Sequence, residues 1–172
     1  MKILEFDRLY ELLPEGLKEL LYECSITPQS PTWHPEGPNE KVPHNVLVHT
    51  RIVYERAKKF GNFDLAIAAL FHDLGKTTTT YPSNKTKGSW SSYGHEMKSA
   101  QITEQYKDWI IKMGADFDCV YTVVKNHMKI KYFHELRQFK KDEFLQNPYF
   151  DQIKQFSTFD SMSTLTVEEM LL

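Results

Sequence analysis

The 172-residue sequence has few cysteines and no long apolar run. Cys24 and Cys119 lie far apart and form no CxxC pair, which argues against a secreted disulfide scaffold. Because no stretch of about 18 apolar residues occurs, we expect no transmembrane helix. The first ten residues include acids and lack the apolar core of a signal peptide. The expected location is therefore the cytoplasm.

The sequence also lacks an excess of either charge. Lys plus Arg number 21 and Asp plus Glu number 23, so the formal net charge is −2. This balance argues against a protein that binds DNA or RNA through bulk positive charge. Hydrophobic residues make up 41% of the chain, which is ordinary globular composition. The length favours one domain over residues 1–172, with residues 1–26 as an N-terminal helical extension.

Strand patterns are weak throughout, and apolar residues recur at helical spacing. We therefore expect an all-α fold, a single compact domain of about six to seven helices. Pro14 and Gly16 are expected to split the first segment into two short helices. Gly61 suits a left-handed C-terminal cap, and residues 76–93 are polar enough to form a long surface loop. The predicted helical segments are 1–24, 44–60, 64–74, 95–113, 116–129 and 148–162.

His72 and Asp73 are adjacent at the end of the most apolar predicted helix. An unpaired buried charge costs several kcal/mol, so Asp73 requires a cation or strong hydrogen-bond donors. A divalent metal would satisfy both residues. Neighbouring helix positions diverge by roughly 100°, so the two side chains either converge at a helix end or bridge neighbouring metals. Gly75 provides such an end.

Four further residues lie on or near predicted buried faces, namely His49, His95, His127 and Asp160. A single inward-facing histidine is more often a hydrogen-bonded core residue than a metal ligand. The chain has a histidine on one predicted helix, His-Asp at the end of the next, two further helical histidines and a late aspartate, and this combination is hard to explain by chance. The joint pattern predicts a metal site. The other three histidines, His34, His44 and His134, have polar or loop neighbours and are expected at the surface.

Four short motifs carry a resemblance to a known family. They read WHPE at 33–36, VHT at 48–50, ALFHDLGK at 69–76 and YGH at 93–95. In this order they are similar to the HD-domain superfamily of metal-dependent phosphohydrolases. The closest resemblance is to the HD domain of bacterial tRNA nucleotidyltransferases, the CCA-adding enzymes, and it covers about residues 30–162. Only about thirty residues precede it, so we expect the nucleotidyltransferase activity itself to be absent.

The resemblance and the spacing lead to one hypothesis about the metals. His49, His72, Asp73 and Asp160 hold one ion, and His95 and His127 hold a second, with Asp73 as the bridge. Two metals about 3.5–4 Å apart can clamp a phosphoryl group and activate a water. Histidine and carboxylate ligands suit Mn, Fe, Ni, Co or Zn. We therefore expect one or two divalent transition-metal ions as cofactors.

The expected activity is hydrolysis of a phosphoester of a nucleotide or an RNA end. In the similar branch of the family, the substrates include 2′,3′-cyclic nucleotides. Asp73 and Lys76 are the expected catalytic residues, since the Lys76 ammonium could neutralise charge on the phosphate, although a lysine can also stabilise a helix end. His34, Lys76 and Arg51 are the expected substrate-binding residues, Arg51 the weaker candidate. Trp90 could stack a base or simply pack.

Three alternatives remain open. A nucleotidase or a deoxynucleoside triphosphohydrolase would use the same site on another substrate. A sensor would bind metal and nucleotide without turnover. In a metal-free helical interaction protein, the histidines would be ordinary core residues. The expected partner is a small-molecule nucleotide or an RNA end, with no membrane association and no DNA binding through bulk charge.

Overall fold

The computed structural model describes residues 2–29 and 45–161 of the chain. The N-terminal part contains α1 (Phe6–Glu11), α2 (Glu15–Ser25), α3 (Val46–Phe60), α4 (Phe63–Phe71) and α5 (Lys76–Thr79). A short hairpin follows, with strands β1 (Tyr81–Pro82) and β2 (Trp90–Ser91). The remainder contains α6 (His95–Gln105), α7 (Lys107–Lys112), α8 (Phe117–Asn126), a 3₁₀ helix (Lys129–Glu135), α9 (Gln138–Leu145) and α10 (Phe150–Asp160).

The all-α prediction is confirmed. The described residues contain ten α-helices rather than six or seven, and the difference comes from α1, α5 and α7, which have four to six residues each. The first predicted segment is indeed two helices, separated at Pro14. The segment predicted at 95–113 is also two, because the chain leaves helical geometry at Tyr106.

Helix α4 is the centre of the core. All residues from Leu65 to Phe71 are buried, as expected of a helix that is apolar on every side. It packs against α3, α6 and α8. Its bounds follow from local chemistry: Asn62 caps its N-terminus by accepting a hydrogen bond from the Leu65 N–H, and Gly61 ends α3 with a φ of 83°.

The segment 76–93 is not a plain loop. Its first four residues continue as α5, and its ends pair as the antiparallel hairpin, with Tyr81 opposite Ser91 and Pro82 opposite Trp90. Alternation over two residues is too short to stand out in a sequence, so the hairpin was missed. None of the helices in the described ranges is both long and apolar enough to cross a bilayer.

Gly75 allows the turn after α4 to lie directly on α6. A Cβ at this position would lie 2.3 Å from the His95 backbone oxygen and 2.8 Å from the Ser99 nitrogen. The Gly75 N–H instead donates to Ser99 Oγ at 2.9 Å. The φ of Gly75 is −63°, so the residue is required for close packing and not for left-handed geometry.

We expect Gly75→Ala to lower the free energy of unfolding by about 2–3 kcal/mol, since the methyl group must displace backbone atoms. Urea denaturation of the full chain measures this. Gly88→Ala is the matched control, because a Cβ there meets nothing within 4 Å although φ is 80°. Its expected cost is the smaller one of about 1 kcal/mol for left-handed backbone. Equal losses in the two variants would contradict the packing role of Gly75.

Candidate metal centre

Six buried polar side chains meet at the ends of five helices. His49 lies near the start of α3, and His72 and Asp73 follow the end of α4. His95 begins α6, His127 follows α8, and Asp160 ends α10. None of the six is more than 3% exposed. The fold therefore brings together all the residues that the sequence predicted as metal ligands.

Three of these residues form the first potential ligand group. His49 Nε2 lies 3.1 Å from His72 Nε2 and 2.9 Å from Asp160 Oδ1. His72 Nε2 lies 3.4 Å from the same oxygen. Ligand atoms at about 2.0–2.2 Å from one ion, at right or tetrahedral angles, are separated by about 2.8–3.6 Å. The three atoms therefore have the spacing of adjacent ligands around a single metal.

The second group shares a carboxylate with the first. Asp73 Oδ1 lies 3.2 Å from His95 Nε2 and 3.7 Å from His127 Nε2. The other oxygen, Oδ2, lies 3.4 Å from His49 Nε2 and 3.3 Å from His72 Nε2. Asp73 thus presents one oxygen to each group, which is the geometry of a bridging ligand.

Backbone carbonyls hold three of the histidine rings. The Nδ1–H groups of His72, His95 and His127 each donate to the carbonyl three residues earlier, at 2.6–2.7 Å. A carbonyl only accepts, so in the neutral ring the proton is on Nδ1 and the lone pair is on Nε2. Metal-bound histidines usually make such a hydrogen bond through the ring nitrogen that does not bind the metal.

Several of these ligand atoms are arranged in a way that a cation would stabilise. His95 Nε2 and His127 Nε2 face each other at 3.2 Å, and their neutral tautomers would direct two lone pairs together. Both oxygens of Asp73 are buried, and in the described ranges neither accepts a hydrogen bond of good geometry. A divalent ion in each group would satisfy these atoms.

The two carboxylates are ionised and ready to act as ligands. Burial raises the pKa of Asp73, but His72 and Lys76 outweigh that effect and hold the pKa well below its usual range. Burial also raises the pKa of Asp160, but Lys131 and His49 outweigh that effect. The pKa of Asp160 is therefore also held well below its usual range.

Burial and nearby charges shift the pKa values of the histidines in different directions. Burial lowers the pKa of His127 to about 4 and lowers that of His49. Burial also acts to lower the pKa of His72, but the charges of Asp73 and Asp160 outweigh it and raise the pKa to about 9. Without metal, His72 therefore carries the proton of this cluster at neutral pH. A metal must displace that proton to bind His72.

Two lysines offset the buried carboxylates. Lys76 Nζ lies 2.9 Å from Asp73 Oδ2 and is itself buried. Lys131 Nζ lies 2.8 Å from Asp160 Oδ2, with its side chain 28% exposed. The sequence places Lys131 with Lys125 and Lys129 in a small basic cluster near His127, a pattern typical of a solvated helix face, so its contact with Asp160 is not expected. The 3₁₀ helix turns Lys131 toward α10, and no sequence pattern indicates that turn.

Asp160 depends on Arg56 for its position. The Arg56 guanidinium is buried and donates from Nη1 to the carbonyls of Phe159 and Ser161, at 2.8 and 2.9 Å. These bonds fix the end of α10 against α3, which also carries His49. Charge-assisted hydrogen bonds of this kind are among the stronger ones in proteins.

The remaining predicted residues lie elsewhere. Arg51 pairs with Asp7 at 3.0 Å and lies over the Phe6 ring, so the structure does not bring it to the cluster. His134 is exposed, as predicted. Trp90 lies in the wall of a pocket beside His95. The predicted substrate-binding residue His34 lies outside the described residues, as do Trp33 and His44.

Comparison with known families agrees with this geometry. The family model of the HD domain matches residues 46–145, more than half of the chain. The chain belongs to the HD domain family. The match includes five of the six clustered residues, and Asp160 lies beyond it. HD domains are typically metal-dependent hydrolases, so divalent metal binding is implied for the cluster.

Neither the curated proteins nor the solved structures include a significant match to this HD domain. The closer resemblance to the HD domain of CCA-adding enzymes stays a prediction.

The two ligand groups should lose metal separately. We expect wild-type protein to bind about two divalent ions, His49→Ala to lose the first and His95→Ala to lose the second. Asp73→Asn should weaken both. Metal analysis after dialysis against Mn, Ni or Zn measures the stoichiometry, and a metal at 100 times its Kd should stabilise the wild type by about 2.7 kcal/mol.

His134→Ala is the control for these variants, because it removes an exposed histidine. It should bind metal as the wild type does. Wild-type protein that binds no divalent metal would contradict the ligand assignment. Equal loss of both ions in His49→Ala and His95→Ala would contradict the division into two groups.

Proposed function

We propose that the protein is a metal-dependent phosphohydrolase that cleaves a phosphoester of a nucleotide or an RNA end. The observation that carries the proposal is the position of Asp73. One buried carboxylate serves two ligand groups, and it lies 2.9 Å from the ammonium of a lysine that lines an adjacent pocket. Family membership supports the reaction class.

The pocket has the size and the chemistry for a small anionic substrate. Its volume is about 540 Å³, within the usual range of about 300–1,000 Å³ for ligand sites. Lys76 and His95 line its inner end. Trp90 and Tyr132 line the same pocket and are partly exposed. Aromatic faces of this kind stack nucleobases without strong sequence preference.

Divalent ions held by the two groups would supply Lewis-acid stabilisation of phosphoryl oxygens and lower the pKa of water. The remaining interactions with the substrate come from side chains of the protein. Lys76 brings a positive charge to the side of the cluster that faces the pocket, where it can neutralise charge that develops on the phosphoryl group. Lys131 offsets the negative charge of the Asp160 carboxylate. The aromatic wall orients the nucleoside.

The resemblance to CCA-adding enzymes favours 2′,3′-cyclic phosphates as substrates. The alternatives differ in their products. Opening of a cyclic phosphate gives a monophosphate, a nucleotidase gives a free nucleoside, and a triphosphohydrolase releases tripolyphosphate. A sensor would bind metal and nucleotide without any of these products.

Turnover should depend on metal and on the HD pair. Purified full-length protein with Mn, Ni or Co should hydrolyse at least one substrate among 2′,3′-cyclic nucleotides, nucleoside monophosphates and deoxynucleoside triphosphates. The His72→Ala, Asp73→Ala double variant should show no turnover above background, whereas His134→Ala should match the wild type. A metal-loaded wild type that turns over none of them would contradict the proposed activity in favour of a sensor.

Lys76 should contribute to the rate. We expect Lys76→Met to lower kcat by about 100- to 1,000-fold, the usual effect of removing one group that stabilises transition-state charge. Metal content must be measured in parallel, since Lys76 also contacts Asp73. Lys112→Met is the control, because Lys112 is exposed and far from the pocket lining. An unchanged kcat at full metal content would assign Lys76 to the stability of the cluster alone.

A further inference from the structure

Gln29 is a buried amide at the inner end of the same pocket. Its side chain is 4% exposed, and it forms part of the pocket wall. Its Oε1 accepts a hydrogen bond from Lys76 Nζ at 3.2 Å. Because an ammonium only donates, the oxygen must face Lys76 and the amide nitrogen must point away from it.

That amide nitrogen has no hydrogen-bond partner within residues 2–29 and 45–161. Gln29 Nε2 is buried, and no acceptor lies within reach among the residues that the structure describes. A buried donor without an acceptor is costly, so it usually indicates a ligand or an ordered water. The two N–H donors of Nε2 and the charge of Lys76 therefore belong to the lining of one pocket.

The backbone around Gln29 is held in place. Pro28 pairs with Asn45, the residue that caps α3, and the Thr27 carbonyl accepts from the Val46 N–H at 3.0 Å. Thr27 and Pro28 thus connect Gln29 to α3, the helix that carries His49. Main-chain contacts of the two preceding residues therefore help to place Gln29 relative to the cluster.

The start of α6 contributes a second positive potential to the pocket. Helix α6, with eleven residues, begins at the pocket, and Gly94 and His95 line it. The N-terminus of a helix favours an anion. The Glu96 carboxylate also lines the pocket and repels an anion from its own side. The favourable location for negative charge is consequently the end formed by Lys76 and Gln29.

We propose that Gln29 is a substrate-binding residue, whose Nε2 donates to a non-bridging oxygen of the substrate's phosphate while its Oε1 holds Lys76. The ligand class is a phosphate monoanion or dianion carried on a nucleoside. The inference deepens the proposed function and rests on it for the identity of the anion. Gln29 and Lys76 would thus together bind the phosphate at this end of the pocket.

Inorganic phosphate is the probe, and calorimetry of the metal-loaded full chain gives its Kd without any turnover. Gln29→Glu keeps an acceptor for Lys76 but replaces the donor with a negative charge. We expect it to weaken phosphate binding more than 10-fold. Gln29→Met, which has a similar length and no donor, should weaken binding by about 10- to 100-fold, the usual effect of losing a hydrogen bond to a charged group.

Gln101→Glu is the matched control, because Gln101 is exposed on α6 and lines no part of the pocket. It should bind phosphate as the wild type does. Metal content and thermal stability of all variants are compared with those of the wild type, and Gln29→Met decides the result if Gln29→Glu is unfolded or gains a metal ligand.

Three outcomes would overturn the proposal. Wild-type affinity in Gln29→Glu would show that Gln29 acts only by holding Lys76, and wild-type affinity in Gln29→Met would show that it does neither. Absence of phosphate binding to the wild type would also overturn it. Failure of the proposed function gives a different result, in which the protein binds phosphate through Gln29 but hydrolyses no substrate. That result would contradict the proposed activity and leave the binding site in place.

Discussion

The burial of the Asp73 carboxylate is the constraint on which the site depends. An ionised carboxylate can remain in a protein interior only when cations or strong donors compensate its lost hydration. Asp73 is 1% exposed, and the groups within reach of its oxygens are four histidine nitrogens and the Lys76 ammonium. Each of these groups comes from a separate turn or helix end. The arrangement of the helices is therefore tied to the charge of one side chain.

A second layer of contacts makes that arrangement rigid. Carbonyls three residues upstream hold the Nδ1 side of three histidines, so their Nε2 atoms point inward. Gly75 lets the turn after α4 lie on α6, which brings His95 to Asp73. Arg56 fixes the end of α10, and with it Asp160. All three devices act on the main chain, through carbonyl acceptors or close backbone packing, and only Arg56 adds a further buried charge.

Much of the site could be predicted because its signal is local. His72-Asp73 after an apolar helix is unusual for a core segment, and His49, His95 and His127 follow apolar spacing. Lys131 and Gln29 could not be found in this way. Lys131 reaches Asp160 through the 3₁₀ helix, and Gln29 reaches Lys76 across 47 positions of sequence. Such contacts depend on tertiary geometry, which periodicity does not encode. The division of α6 and α7 at Tyr106 was missed for the same reason.

The charges of the cluster connect folding with substrate binding. Asp73 and Asp160 are each matched by one lysine, so the buried charge is offset before a metal enters. A divalent ion in the second group then adds two positive charges, and one in the first group adds a net charge of one, because it displaces the proton of His72. The excess positive potential is directed toward the pocket, where Lys76 and the start of α6 already favour an anion. Ions that complete the ligand groups would thereby also increase the attraction for a phosphate, and the site would bind substrate best in its metal-loaded state.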